Sequence, residues 1–330
     1  MKYSKVFAVF TAVLLTLCIF NGCGVKDVPT PDAPAENKPA EDISPTEKPV
    51  EEDVFSPITV TDMTGKEIII EEKVEKAVAL TASDCEILYA IGAGDTIIGR
   101  GEYCDYPEEV IEIPAVQSGY ETNIEQIITL EPQVVFLNSM DQSPEQVKAL
   151  EDAGITVITS DADDIAGVYE SIALIGKVMG KDEEAANVIN GMKAAFEVIS
   201  KDIAENGEKK TVYFEVSPLE YGLWTAGSGT FMTELTEMLG LENAFSDVEG
   251  WAEISEEQVI QRDPDYIVTI TMYFGEGPTP EEEILSRTGW ENMTAVKNKA
   301  VLNADSNEIS RPGPRLTEAA KTLNEFFYAE

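Results

Sequence analysis

Glu125-Gln126-Ile127-Ile128 leads to Pro132 and then an apolar strand, and Glu257-Gln258-Val259-Ile260 leads to Pro264 and another, at the same offset throughout. Upstream, the helical run Glu86 to Ile91 closed by Gly92 has a counterpart in Glu234 to Leu239 closed by Gly240. Two ordered matches imply two lobes of like construction. Between them, Ile165 to Met179 and then Glu183 to Glu205 keep helical periodicity with few breakers, the pattern of a long helix bridging two bodies. The predicted fold is therefore α/β, two lobes with mainly parallel central sheets joined by one long α-helix. Its boundaries fall at residues 57–164 for the N-terminal lobe, 165–206 for the helical segment and 207–330 for the C-terminal lobe.

Local signals fill in the lobes. Ile58 to Val60 and Glu67 to Ile70 read as a hairpin across Asp62-Met63-Thr64-Gly65. Ala77 to Leu80 reads as a strand, followed by a helix from Ser83, as N-cap, to Ile91. Strands at Ile97 to Gly99, Val134 to Leu137 and Thr156 to Ile158 alternate with helices at Glu125 to Leu130 and Glu145 to Asp152. After Gly207 come strands at Val212 to Val216, Tyr266 to Ile270 and Ala300 to Leu302, and a closing helix from Arg315 to Tyr328.

The N-terminus carries an address rather than a fold. Lys2 and Lys5 precede an apolar run from Val6 to Phe20 that ends in Asn21-Gly22-Cys23, and a polar segment follows. That is an export signal over residues 1–22. A small residue directly before a cysteine suits lipoprotein signal peptidase, so Cys23 is the expected lipid anchor. Residues 23–56, rich in Pro, Glu, Asp, Lys and Ala, form an acidic tether without the apolar content for a core. The expected location is extracytoplasmic, anchored by lipid on the outer face of the cell membrane. Only Cys85 and Cys104 remain for the folded part, and their spacing alone does not show whether they form one disulfide or stay two inert thiols.

Composition excludes whole classes. With 62 acidic against 23 basic residues and a formal net charge of −39, the chain cannot cluster the cations that a nucleic-acid backbone requires. It contains no histidine, which removes Ser-His and Cys-His dyads and most hydrolytic metal sites. No phosphate-cradling Gly-Lys-Ser/Thr loop is present, so any ATP hydrolysis belongs to a partner chain. No enzyme, cofactor or metal site is expected. A surface carboxylate-pair hydrolase and a ligand sensor are the alternatives of another class.

Several segments together resemble a known family. They are Lys76 to Asp95 (KAVALTASDCEILYAIGAGD), Tyr103-Cys-Asp-Tyr-Pro107, Asn123-Ile-Glu-Gln-Ile-Ile, Glu131-Pro-Gln-Val-Val135, Thr225-Ala-Gly-Ser-Gly-Thr-Phe231 and Ser310-Arg-Pro-Gly-Pro-Arg315. In that order they resemble the substrate-binding lipoproteins of ATP-binding-cassette (ABC) importers for cobalamin, ferri-siderophores and haem. The resemblance covers the chain from Ile58 onward, with Ala82 where the family has Pro and Lys76 where it has Arg. It implies two lobes on a rigid helix and a bulky ligand between them, cobalamin first, with siderophore or haem as alternatives. The implied partners are an ABC permease dimer and its cytoplasmic ATPase subunits.

In an α/β protein, ligands sit beyond the carboxyl ends of the strands. The loops after Leu80, Gly99, Val116, Val216 and Ile270 carry Thr81, Ser83, Tyr103, Tyr106, Tyr120, Trp224, Tyr273 and Phe274. Aromatic walls of this kind suit a flat macrocycle. Trp251 and Arg311 match cleft positions of the family. Glu125 and Glu257 match the positions that, in the family, pair with permease arginines, one per lobe.

Overall fold

Asp62 caps its own turn. Its Oδ1 accepts from the backbone N–H groups of Thr64 and Lys66 at 3.0 Å, and Gly65 takes φ 86°, a conformation a side chain resists. That turn pairs β1 (Ile58–Thr61) antiparallel with β2 (Glu67–Ile70), as the sequence predicts. The protein is seen in a computed structural model that describes residues 55–119, 121–139, 142–201 and 209–328. The export signal, residues 23–54 of the tether, including Cys23, and Tyr120 lie outside the described residues.

The N-terminal lobe continues through β3 (Ala77–Ala79), α1 (Ala82–Ala90), β4 (Ile97–Gly101), β5 (Ala115–Val116), α2 (Ile124–Leu130), β6 (Val134–Leu137), α3 (Pro144–Asp152) and β7 (Thr156–Thr159). The strands pair in parallel in the order β5-β4-β3-β6-β7. Every residue of β3 and β6 is buried, as both faces of the sheet are covered. One expectation shifts by two residues. The N-cap of α1 is Thr81, not Ser83: Thr81 has extended backbone and its Oγ1 accepts from the Asp84 N–H at 3.3 Å. A cap must lie outside the helix, and Ser83 falls inside the first turn.

The breaker-poor stretch divides into α4 (Ile165–Val178) and α5 (Asp182–Ser200). Gly180 sits between them in the left-handed region at φ 64°, which stops α4 and reverses the chain. The two helices then pack so closely that a Cβ on Gly176 would stand 2.4 Å from that of Ala185. The sequence placed the end of the second helix at Glu205; α5 ends at Ser200, and the residues just after Lys201 lie outside the described ones. At 19 residues α5 is roughly 28 Å long, enough to run from one lobe to the other.

The C-terminal lobe comprises β8 (Thr211–Glu215), β9 (Trp224–Ala226), α6 (Phe231–Met238), β10 (Glu242–Asn243), β11 (Trp251–Glu253), α7 (Glu256–Arg262), β12 (Tyr266–Thr269), α8 (Pro280–Ser286), α9 (Thr294–Asn298), β13 (Val301–Asn303), α10 (Ser306–Ile309) and α11 (Leu316–Tyr328). Its parallel sheet runs β10-β8-β12-β13, and β9 pairs antiparallel with β11. Helix α5 packs on α4 on one side and on α11 on the other, so it joins the lobes.

The internal repeat is real in three dimensions. Asn123 caps α2 and Ser255 caps α7, each accepting from the N–H of the Gln three residues on. Both helices stop on a left-handed residue, Glu131 at φ 52° and Asp263 at φ 43°, and enter an interior strand, β6 or β12. Likewise Gly92 after α1 and Gly240 after α6 take φ 71° and 74°. A helix that turns back into its strand starts beside that strand's carboxyl end. Glu125 and Glu257, each the second residue of its helix, therefore stand at equivalent places in the two lobes.

Candidate functional site

The carboxyl ends of the two sheets enclose a cavity of about 360 Å³. The N-terminal lobe contributes Asn138 and Ser139 after β6 and Asp161 to Asp163 after β7. The facing lobe contributes Val216 after β8, Ile270 after β12 and Trp251 at the start of β11, with Phe231, Met232, Ser310 and Pro312 around them. Trp251 is half-buried and leans on Phe231, ring centroids 5.5 Å apart and planes tilted by 58°. Opposite, Asp161 is held in place by Ser139, whose N–H donates to Oδ1 at 2.9 Å and whose hydroxyl donates to Oδ2. One wall is thus aromatic and the other acidic.

Polar ties cross between the lobes on both sides of this cavity. On one side the Phe231 N–H donates to the Asp163 carbonyl and the Ile165 N–H to Glu234 Oε2, each at 2.7 Å. On the other, Arg311 Nη1 donates to Glu86 Oε1 at 2.8 Å and to Asp105 Oδ1 at 2.7 Å. Its Nη2 donates to Asn307 Oδ1 at 2.7 Å and to the Tyr103 carbonyl at 3.2 Å. Arg315 adds a longer contact to Glu86 at 3.4 Å and lies over the Tyr106 ring, 4.3 Å from its centroid. Burial raises the proton affinity of Glu86, opposed by the two arginines, and Glu86 Oε2 is buried without a hydrogen-bond partner. Arg311 loses solvation too, but Asp105 and Glu86 outweigh that and hold it firmly charged.

Beneath the N-terminal wall lies a second carboxylate, this one without a cation. Asp84 accepts from the hydroxyl of Ser160 and, at 2.5 Å, from that of Thr81. Complete burial pushes its pKa up to about 7, with the nearby Asp161 adding to the rise and the two hydroxyls opposing it. An acid whose folded pKa lies above its unfolded value makes folding less favourable once it ionises. Stability should therefore fall as pH rises from about 4 to about 7 and level off above, by up to roughly 4 kcal/mol from this group. Asp84→Asn is expected to flatten that slope and to be the more stable protein at pH 8, as urea unfolding at pH 5 and pH 8 would show. Equal slopes in the two proteins would mean that Asp84 is not the titrating group.

Comparison with known proteins adds the decisive observation. The family model described as periplasmic binding protein matches residues 78–308. The chain belongs to the periplasmic binding protein family. Its members bind solutes and are not enzymes. This binding protein is 33% identical over 328 residues to the uncharacterized ABC transporter substrate-binding lipoprotein YvrC of Bacillus subtilis, covering 98% of this chain and 97% of that one. A cobalamin-binding protein of Halobacterium salinarum is 27% identical over 278 residues, 82% of this chain and 74% of its own. The structure of a possible iron-binding, periplasmic solute-binding protein from Staphylococcus epidermidis superposes with a TM-score of 0.69 at 30% identity. That match covers 78% of this chain and all of the other.

Within the binding protein, the residues singled out from sequence scatter. Trp251 lines the inter-lobe cavity. Thr81 is committed to capping α1, with Ser83 Oγ 3.4 Å from its hydroxyl. Tyr103 is 72% exposed and enters the cross-lobe network only through its carbonyl. Tyr106 lines a separate cavity of about 590 Å³ beside Val188, Gly191 and Met192 of α5. Trp224 and Tyr273 are exposed, and the Tyr273 hydroxyl donates to the Gly277 carbonyl at 3.1 Å. Arg311 is spent on the opposite lobe. Sequence reasoning missed Asn138, Ser139 and Asp161 to Asp163, although they follow β6 and β7 and the carboxyl-end rule reaches them as well as it reaches Thr81.

Proposed function

We propose that this protein captures a bulky, flat macrocycle between its lobes, a corrinoid before a haem or ferri-siderophore, and hands it to the permease of an ABC importer. The observation that carries this reading is the cleft itself, with Trp251 braced on Phe231 against the polar wall of Asp161 to Asp163. A large ring presented to Trp251 buries apolar area against a side chain that is already fixed, so little rotamer entropy is lost. The cavity is small for such a ligand. Entry of a macrocycle therefore widens the space between the lobes.

Charge supports the corrinoid over its anionic rivals. Catecholate or carboxylate siderophore complexes and haem propionates are anionic and call for free arginines, and all five arginines here are engaged. Arg100 donates to the backbone carbonyls of Ile113 and Cys104, Arg262 pairs with Asp247, and Arg287 pairs with Glu215. Arg311 and Arg315 both reach Glu86. No Lys or Arg is among the described residues that line the cavity, while Asp161 and Asp163 are. An iron-chelate reading draws its support from the Staphylococcus epidermidis protein.

Cys23 is the lipid anchor that holds the protein outside the membrane, in keeping with the Bacillus subtilis lipoprotein. Glu125 and Glu257 are the permease contacts. Each is exposed and sits one turn before an exposed isoleucine, Ile128 or Ile260, both 38% exposed. The duplicated pair suits a dimeric partner that offers the same surface twice.

Isothermal titration with cyanocobalamin tests the cleft. Wild-type protein is expected to bind one equivalent, and Trp251→Ala to weaken binding by about thirtyfold, near 2 kcal/mol for a buried aromatic anchor. Affinity unchanged by that substitution would move the ligand elsewhere.

A further inference from the structure

Cys85 and Cys104 have no part in the cleft described above. Cys85 lies one turn into α1 and Cys104 in the loop after β4; both are free thiols in the structure and both are buried. The two thiols interact with each other, and Cys104 Sγ donates to the Ala79 carbonyl of β3 at 3.7 Å. That contact, and then burial, hold the Cys85 thiol far above the ordinary range, so it is no nucleophile in the folded protein. Nor do the two belong to a metal site. Among the described residues no group of three or more His, Cys, Asp and Glu side chains converges.

What surrounds the pair gives it meaning. Glu86 follows Cys85 and Asp105 follows Cys104, and these two carboxylates are the ones that receive Arg311 from the opposite lobe at 2.8 and 2.7 Å. The helix supplies one acceptor and the loop the other. Any link between the sulfurs fixes the spacing of both.

We propose that Cys85 and Cys104 form a modification site, a dithiol that is oxidised to a disulfide in the exported protein. The bond clamps the loop bearing Asp105 to the helix bearing Glu86 and so presets the N-terminal receptor for Arg311. The oxidant is an external disulfide, of a thiol oxidase or a small thiol. One protein thiolate attacks it and expels a thiol, and the second thiolate then displaces the remaining partner. Two protein thiols and one external disulfide give one protein disulfide and two external thiols, and the two protons leave with the latter. Because both sulfurs are buried once folded, exchange takes place while helix and loop are still coming together. The physiological setting rests on the extracytoplasmic placement proposed above, since disulfides persist in oxidising compartments.

The test uses the full chain, unfolded in urea with reductant and refolded in a mixture of oxidised and reduced glutathione. Free thiols are then alkylated under denaturing conditions and the peptides mapped, which reports Cys85 and Cys104 separately from Cys18 and Cys23. The expected result is a cross-linked Cys85–Cys104 peptide in most molecules and a higher urea midpoint than in the reduced chain. Cys104→Ser should show the same midpoint in both buffers. Full alkylation of both cysteines after oxidative refolding, or a lower midpoint in the cross-linked chain, would overturn the proposal. A chain that cross-links on refolding but emerges from cells with both thiols free supports the pair and counts against the extracytoplasmic placement, so the two failures are distinguishable.

Discussion

Replacing Glu125 and Glu257 together by alanine is expected to reduce uptake to background while ligand affinity stays at the wild-type value. The two side chains are exposed, occupy the same position in equivalent helices, and line no part of the cleft cavity. Both stand near a helix N-terminus, where the helix dipole favours a carboxylate, and truncation there costs only a few tenths of a kcal/mol, up to about 1, in stability. Pairing with a cation on a partner is worth more. Truncating one member of a pair that becomes buried costs about 2–5 kcal/mol of association free energy. On the proposed docking, losing both removes the register of the two lobes over the permease. Each single variant should lose part of the rate. Measuring uptake alongside equilibrium binding checks this, and a double variant that transports normally would leave the two glutamates as helix-end charges only.

The second large effect is on stability. Arg287 and Glu215 form a buried bidentate pair at 2.6 and 2.8 Å, with side-chain exposures of 3% and 1%. Glu283 closes the other side of the guanidinium at 2.6 Å, and the Trp290 ring lies 4.5 Å away. Burial raises the proton affinity of Glu215, and only the guanidinium opposes it strongly. Arg287→Ala would strand that carboxylate, a change that costs about 3–5 kcal/mol. Glu215 ends β8, and the next residue, Val216, lines the cleft, so the loss reaches the site as well. The unfolding midpoint in urea should fall sharply. Arg287→Met with Glu215→Leu should recover much of it, because similar volume without charge removes the desolvation cost. A single variant as stable as wild type would mean that Glu215 is already neutral in the folded protein.

Much of the architecture was legible because its signals are local. The Glu-Gln helix, its stop and the following Pro before a strand are read within ten or so residues, and they recur because each lobe repeats one packing solution. That the chain reverses at Gly180 was harder to read. A glycine within a helical pattern carries little information until the neighbouring helix, packed against Gly176, shows that the chain has reversed. Thr81 and Ser83 both carry the chemistry of a cap, and only backbone conformation decides between them. Arg311 shows the limit most clearly. Its partner Glu86 lies 225 positions away, and nothing in a single sequence joins the two. The aromatics were over-read for a similar reason: a tyrosine in a loop after a strand can face the cleft, solvent or the connecting helix, and Tyr103 and Tyr106 went to the last two.

The central claim is that the space between the lobes holds a corrinoid. Trp251 lines that space and Trp224 is exposed, while Trp290 is fully buried and supplies a constant background. Titration of the protein with cyanocobalamin, haemin and a ferric hydroxamate, followed by tryptophan fluorescence, tests the claim directly. Cyanocobalamin is expected to quench saturably at the lowest concentration of the three, with haemin and the hydroxamate weaker. Saturable quenching by the ferric hydroxamate alone would contradict it.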